Sequence, residues 1–245
     1  MMKMTYLIPL LSLAVPAIAH AHPGVGDPVY GATLEDGTTE FEARYGRLTG
    51  GSEGGADGMV FEAEHSFSHR FAAATLIETA RDPNGQRIVQ SASIEAIHTL
   101  VHVDALAFDV AVYGEYKFGF HGQDDVAEGK ILIEHRAGSF DARVNLIAEK
   151  PLRASDPVEL GYAVSADWAV LGDDLRVGVA GFGDLGTTSH FGGRQETFAG
   201  PEVKTEFELG GGELEIEAGW LKAFGAARDV TDGQARFLVG FERRF

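Results

Sequence analysis

From Ala235 to Phe245 the chain alternates its side chains with a period of two. Ala235, Phe237, Val239, Phe241 and Phe245 fall on one parity, broken only by Arg243. Gln234, Arg236, Gly240, Glu242 and Arg244 fall on the other, with Leu238 as the exception. Successive side chains of a strand point to opposite faces, so this is a strand with one apolar and one charged face, ending flush on an aromatic. A chain built from such strands must hide the apolar face in a core or in lipid. That choice decides what the charged face looks at.

The same rhythm runs upstream. Phe41, Ala43 and Tyr45 oppose Glu40, Glu42 and Arg44, and Met59, Phe61 and Ala63 oppose Glu62, Glu64 and Ser66. The stretch 71–79 is nearly all apolar and leaves its register open, while 88–98 sets Ile88, Ala92, Ile94 and Ala96 against Ser91, Ser93 and Glu95. Leu106, Phe108, Val110, Val112, Tyr116, Phe118 and Phe120 share a face opposite Asp109, Tyr113, Glu115 and Lys117. Ile131 and Ile133 oppose Lys130, Glu134 and Arg136, and the run from Phe140 to Ala148 opposes Asp141, Arg143, Asn145 and Glu149. Val158 to Trp168 opposes Glu159, Ser165 and Asp167, and Leu175, Val177 and Val179 oppose Arg176, Gly178 and Ala180. Val203 to Leu209 opposes Glu202, Lys204, Glu206 and Glu208, and Leu214 to Trp220 opposes Glu215, Glu217 and Gly219. With the terminal segment, the pattern predicts about twelve strands, an even number.

The connectors also alternate. Brief ones fall at 68–70, 137–139 and 210–212, and longer polar ones at 49–57, 121–128, 184–193 and 225–233; 99–105 and 169–174 blur the rule.

Charged residues at 23% and hydrophobic ones at 44% exclude ordinary disorder, and 32 glycines suit many turns and closely packed strands. A formal net charge of −17 argues against nucleic acid as a partner. There is no cysteine, which excludes a disulfide scaffold and thiol chemistry and suits passage through an oxidising periplasm.

The beginning of the chain reads differently from the rest. Lys3 precedes an apolar stretch from Tyr6 to Ala19, followed by the cleavage candidates Ala17-Ile18-Ala19 and Ala19-His20-Ala21. This predicts a cleaved secretory signal over 1–21 rather than a membrane anchor, because the stretch is short and holds Pro9 and Pro16. Residues 22–38, rich in Gly, Pro and Asp, predict a periplasmic lead-in, and 39–245 one all-β domain. Beyond the signal, no apolar run reaches the ~20 residues of a membrane helix, so any crossing is made by strands.

A secretion signal, girdle-like aromatics near strand ends (Phe118, Phe120, Trp168, Trp220, Phe245) and a terminal phenylalanine together resemble the outer-membrane β-barrel class over residues 39–245. The resemblance implies an antiparallel up-and-down transmembrane barrel, porin-like, with the apolar face toward lipid and the charged face toward a lumen. It also implies that Phe241 and Phe245 act as an assembly signal for the barrel-assembly machinery, and that outer-membrane lipid and lipopolysaccharide surround the barrel. A soluble barrel or sandwich, with its apolar face inward, is the competing fold.

On this polarity the candidate lumen lining is Glu62, Glu64, Asp109, Glu115, Lys117, Glu134, Arg136, Asp141, Arg143, Glu159, Asp167, Glu202, Lys204, Glu206, Glu215, Glu217, Arg236, Glu242 and Arg244. Acids exceed bases, so an open lumen would favour cations or neutral solutes. If closed, the same charges would pair and brace a plugged interior, giving a structural or adhesive barrel. Porins for acidic sugars have about this strand count but need a basic lumen, from which this chain departs.

A lipid-hydrolysing barrel would need a serine beside a histidine. The material for it is Ser66, Ser68, His65 and His69, and Ser189-His190 in a connector, with no third group implied. Cleavage after Ala19 would place a free amine beside His20 and His22, a nitrogen-rich set suited to Cu(II) or Ni(II). Glu53, Asp57, Asp124, Asp125 and Glu128 are loop acids available to cations bridging lipopolysaccharide. No cofactor is implied.

Overall fold

In the computed structural model, which describes residues 29–81, 85–103, 107–153, 155–172 and 174–245, the period-two pattern becomes twelve antiparallel strands. They are β1 (Thr38–Thr49), β2 (Asp57–Ser68), β3 (Phe71–Arg81), β4 (Arg87–Val103), β5 (Phe108–Gly119), β6 (Val126–Ala137), β7 (Phe140–Pro151), β8 (Glu159–Ala169), β9 (Arg176–Thr187), β10 (Glu196–Leu209), β11 (Gly212–Gly225) and β12 (Gly233–Arg244). Each pairs with its sequence neighbours. β1 pairs with β12 from Thr38↔Arg244 to Thr49↔Gly233, so the sheet closes. Closure leaves no free edge, and only then can strands cross lipid with every backbone group satisfied.

Phe41, Phe61, Ile94, Ile131, Leu146, Val179, Val203 and Phe237 lie exposed on the outer face, while the charged parity is largely buried inside. β3, whose register the sequence leaves open, turns Ala72, Ala74 and Leu76 inward and Phe71 and Ile77 outward. Aromatics collect at both rims. Near the chain termini, Phe67 lies 5.9 Å from Phe71 and Phe140 lies 4.8 Å from Trp168, ring to ring. At the opposite rim Tyr116 lies 4.7 Å from Phe118, with Phe120 and Trp220 also exposed. Such paired girdles around an apolar band match the two interfaces of a bilayer.

The connectors 69–70, 138–139 and 210–211 fall at the rim that holds the chain ends, and 50–56, 120–125, 188–195 and 226–232 at the other. Some expected boundaries move. Residues 99–103 continue β4 through a register shift between Thr99 and Val101 rather than forming a connector. Residues 184–187 belong to β9, and 126–128 to β6. β10 begins seven residues before Val203, because Gly200 and Pro201 interrupt its apolar alternation without interrupting the strand.

The interior departs from a purely charged face. Leu132, Ile147, Phe182, Phe198, Leu221 and Leu238 point inward and are buried. Most of them form an apolar cluster along β7–β11, where Phe182 and Phe198 stack at 5.1 Å. The cluster has a further member, Val29, from outside the sheet.

Val29 marks a second departure. Of the described part of the expected lead-in, residues 29–34 are lodged inside the barrel, while Glu35 and Asp36 are exposed at the turn. A turn carries it into β1, with Thr38 Oγ1 donating to Glu35 O at 2.7 Å. Gly37 takes φ +78°, a conformation that suits glycine, and its N–H donates to Ser66 O at 2.9 Å.

Candidate channel lumen

Residues 29–33 run along the inner wall, and side chains of the barrel bond backbone groups of Tyr30, Ala32 and Thr33. Asn145 accepts from Tyr30 N at 2.8 Å and donates to Tyr30 O at 2.9 Å, much as a neighbouring strand would. Glu134 Oε2 accepts from Ala32 N at 2.8 Å, Thr33 N at 2.9 Å and Thr33 Oγ1 at 2.8 Å. Thr99 Oγ1 donates to Ala32 O at 2.9 Å. A buried segment without such partners would leave costly orphaned amides. Gly31 passes this wall closely: a Cβ there would lie 3.3 Å from Glu134 Oε2 and 3.5 Å from Arg143 Cζ.

Tyr30 occupies the middle of the lumen. Its ring lies 5.0 Å from Tyr113, and Lys130 Nζ sits 4.5 Å from the centroid of the one and 4.4 Å from the other. The Tyr30 hydroxyl donates to Glu95 at 3.4 Å and accepts from Arg44 at 3.4 Å. Arg44, almost wholly buried, is also bonded to Glu62.

Two cavities flank this level, and Tyr30 lines both. The outer one, about 370 Å³, is bounded by Glu78, Glu115, Lys117, Glu128 and Glu149, with Lys117 paired to Glu78 at 2.7 Å and Lys130 to Glu128 at 2.9 Å. The inner one, about 340 Å³, opens toward the rim of the chain termini and is lined by eleven glutamates against Arg136, Arg143 and Lys204. The register explains the crowding. Glu64, Glu40, Glu242, Glu213 and Glu208 stand directly opposite one another in a row across β2, β1, β12, β11 and β10. A second row holds Glu62, Glu42, Glu215 and Glu206, with Gly240 between Glu42 and Glu215. A Cβ at Gly240 would lie 3.0 Å from Glu40 Oε1.

The sequence-derived lining is distributed as follows. Glu62, Asp109, Glu134, Asp141, Glu159, Asp167, Glu202, Lys204, Glu217 and Arg236 are buried on the inner face. Glu64, Glu115, Lys117, Arg143, Glu206, Glu215 and Glu242 are partly buried there, and Arg136 and Arg244 are exposed. Two ion networks form among them. Arg143 contacts Asp141 at 3.0 Å and Glu134 at 3.4 Å, with Arg136 at 2.8 Å from Glu134. Lys204 contacts Glu202 at 3.3 Å, Glu217 at 3.4 Å and Asp167 at 3.8 Å, and Arg176 holds Asp167 at 2.5 Å. In the glutamate rows acids outnumber bases, with Arg44 bonded to Glu62 and 3.6 Å from Glu42. Tyr30, Phe182 and Phe198 were absent from the sequence-derived lining; Phe182 and Phe198 fall on the inward parity of β9 and β10, and Tyr30 had no such signal.

Other sequence candidates fall elsewhere. Of the loop acids, Asp57 is buried in β2 between Arg81 and Arg87, and Glu128 lies in β6, so neither is a loop residue. Asp124 pairs with Arg153, Asp125 accepts from Tyr116 at 3.0 Å, and Glu53 is exposed. Ser66 faces inward while His65, its ring 2.9 Å from Thr39 Oγ1, faces outward. Ser189 and His190 meet at 3.2 Å in an exposed outer loop, where the other partner of Ser189 is the Thr187 hydroxyl at 3.1 Å rather than a carboxylate. Neither of these serine–histidine pairs is given the carboxylate a serine hydrolase uses, and Ser68 Oγ accepts from Arg70 N at 3.2 Å. His20 and His22, and the signal of 1–21, lie outside the described residues.

A closed twelve-stranded barrel with an apolar belt, aromatic rims and a charged interior has the architecture of a transmembrane β-barrel, the fold of outer-membrane porins. Solved structures of that type share the fold. The KdgM porin superposes with TM-score 0.56 at 12% identity, covering 84% of this chain and 99% of its own. An outer membrane channel from Pseudomonas putida F1 superposes with TM-score 0.61 at 11% identity, covering 89% and 99%. The NanC porin gives 0.56 at 10% identity, covering 84% and 100%. No family model and no curated protein matches the sequence.

Proposed function

We propose that this chain is a narrow outer-membrane channel for the passive passage of small hydrophilic solutes, weakly favouring cations. The glutamate excess of the inner cavity, eleven against three basic side chains, carries the reading. Like charges directly opposite one another weaken a sheet. An interior that existed only to be braced by ion pairs has no use for such rows, whereas an aqueous lumen fills them with mobile counter-ions and selects by sign. The KdgM porin is known in complex with disordered oligogalacturonate, an anionic chain. The acidic lumen here argues for a different solute class.

The test is purified protein in a planar bilayer under a KCl gradient. Discrete conductance steps with a reversal potential displaced toward that of potassium are expected. A reversal potential on the chloride side would reject the cation preference. Absence of steps would reject the channel and support a closed structural barrel, the reading favoured by the filling of the mid-lumen by Tyr30 and the apolar cluster.

Export through the signal of 1–21, insertion by the barrel-assembly machinery and a lipopolysaccharide surround complete this proposal. On β12, Phe241 is cross-strand from Phe41 and from Leu214, and Phe245 is 80% exposed at the rim. Deleting Phe245 is expected to lower the heat-modifiable barrel in the outer-membrane fraction several-fold. An unchanged yield would remove Phe245 from the assembly signal.

A further inference from the structure

We propose that Tyr30, presented by the lumen-bound segment 29–34, sets the size limit of the pore. The inference rests on the channel reading above. It starts from position: Tyr30 lines the cavities on both sides of the mid-lumen. One flank of that level is filled by Val29, Ile147, Phe182, Phe198 and Leu221, with Arg236 5.7 Å from the Phe182 ring. The opposite flank is the Tyr113–Lys130 stack. Between them Tyr30 is held at its backbone by Asn145 of β7, and its side chain reaches to Glu95 of β4 and Arg44 of β1. A solute moving from the outer to the inner cavity passes this ring.

The segment is also an addition to the barrel rather than part of its wall. Ladder pairing of β1 with β12 begins at Thr38, and the bonds that hold residues 30–33 come from side chains of Asn145, Glu134 and Thr99 instead of from backbone of a strand. Removing Tyr30, or the whole segment, therefore leaves all twelve ladders in place. A constriction anchored this way is made by the chain's own lead-in, with none of the outer loops needed.

Tyr30→Gly should raise single-channel conductance about twofold or more, since a pore's resistance is concentrated at its narrowest level. It should also admit larger neutral sugars in a liposome-swelling assay. Tyr30→Phe keeps the ring and loses the hydroxyl contacts, so it should conduct like the parent. Asn145→Ala, which releases the Tyr30 backbone, should make the steps noisy and larger on average. Deletion of 29–36 supplies an independent version, and heat-modifiable mobility verifies a closed barrel in each case. Steps of parental size in both Tyr30→Gly and the deletion would overturn the assignment while leaving the channel standing. Silence of parent and variants alike would overturn both.

Discussion

Glu134 is fully buried and works on two sides at once. One oxygen takes three hydrogen bonds from Ala32 and Thr33, and the other faces Arg136 and Arg143. Removing a partner from a buried pair costs about 3–5 kcal/mol when the remaining charge stays buried. Here Arg136 is 51% and Arg143 24% exposed at the side chain, and Arg143 keeps Asp141. Both can turn to water, so Glu134→Ala is expected near the low end, about 3 kcal/mol, and Glu134→Gln, which keeps an acceptor, about 1–2 kcal/mol. Urea unfolding in lipid vesicles measures both, and an alanine variant as stable as the parent would show that the segment contributes nothing to the fold. The inward direction of Glu134 was legible from Ile131 and Ile133 on the opposite parity. Its attachment to Thr33 was not, because that partner lies 101 residues away in a stretch with no alternation.

At the level of elements, legibility followed side-chain contrast. β1, β5, β7 and β11 alternate apolar against charged residues and could be read almost whole. β9 and β10 could not, because Gly178, Gly181, Gly183 and Gly200 carry no apolar or polar label. Those glycines mark close approaches of backbone. A Cβ at Gly200 would lie 2.0 Å from Trp220 O and 2.9 Å from Leu221 Cα, so the β10–β11 pair closes there only without a side chain. Pro201 follows, and the β10–β11 register resumes at Glu202↔Gly219. Gly200→Ala must push β11 outward, a strain of about 1–3 kcal/mol. The expected result is a lower midpoint in urea together with more rapid exchange of the amides of 198–203 and 219–222. A variant that matches the parent in both would mean the two strands already have slack at this point.

Across the whole molecule, strand number, closure and polarity were written in the alternation, but the division of the lumen into chambers was not. That division depends on which strands face each other across the barrel and on a segment that joins no ladder. The basic side chains are also spread unevenly around the barrel. Arg136, Arg143, Lys204 and Arg176 gather on β6–β10, while in the seam from β10 through β12 and β1 to β2 the opposed glutamates outnumber the bases, with Arg44 set against Glu42 and Glu62. If those rows serve ion passage, relieving them should strengthen the barrel and weaken its selectivity together. Replacing Glu40, Glu213 and Glu215 by lysine makes the longer row alternate in sign, and changes the inner cavity from eleven acids against three bases to eight against six. Each new opposite-charge pair is worth about 0.2–1 kcal/mol across strands. The triple variant should therefore unfold at higher urea, while its reversal potential in a KCl gradient moves toward zero. Added stability with unchanged selectivity would show that ions are sorted elsewhere in the lumen. Lost stability would show that the glutamates are held by partners stronger than their mutual repulsion.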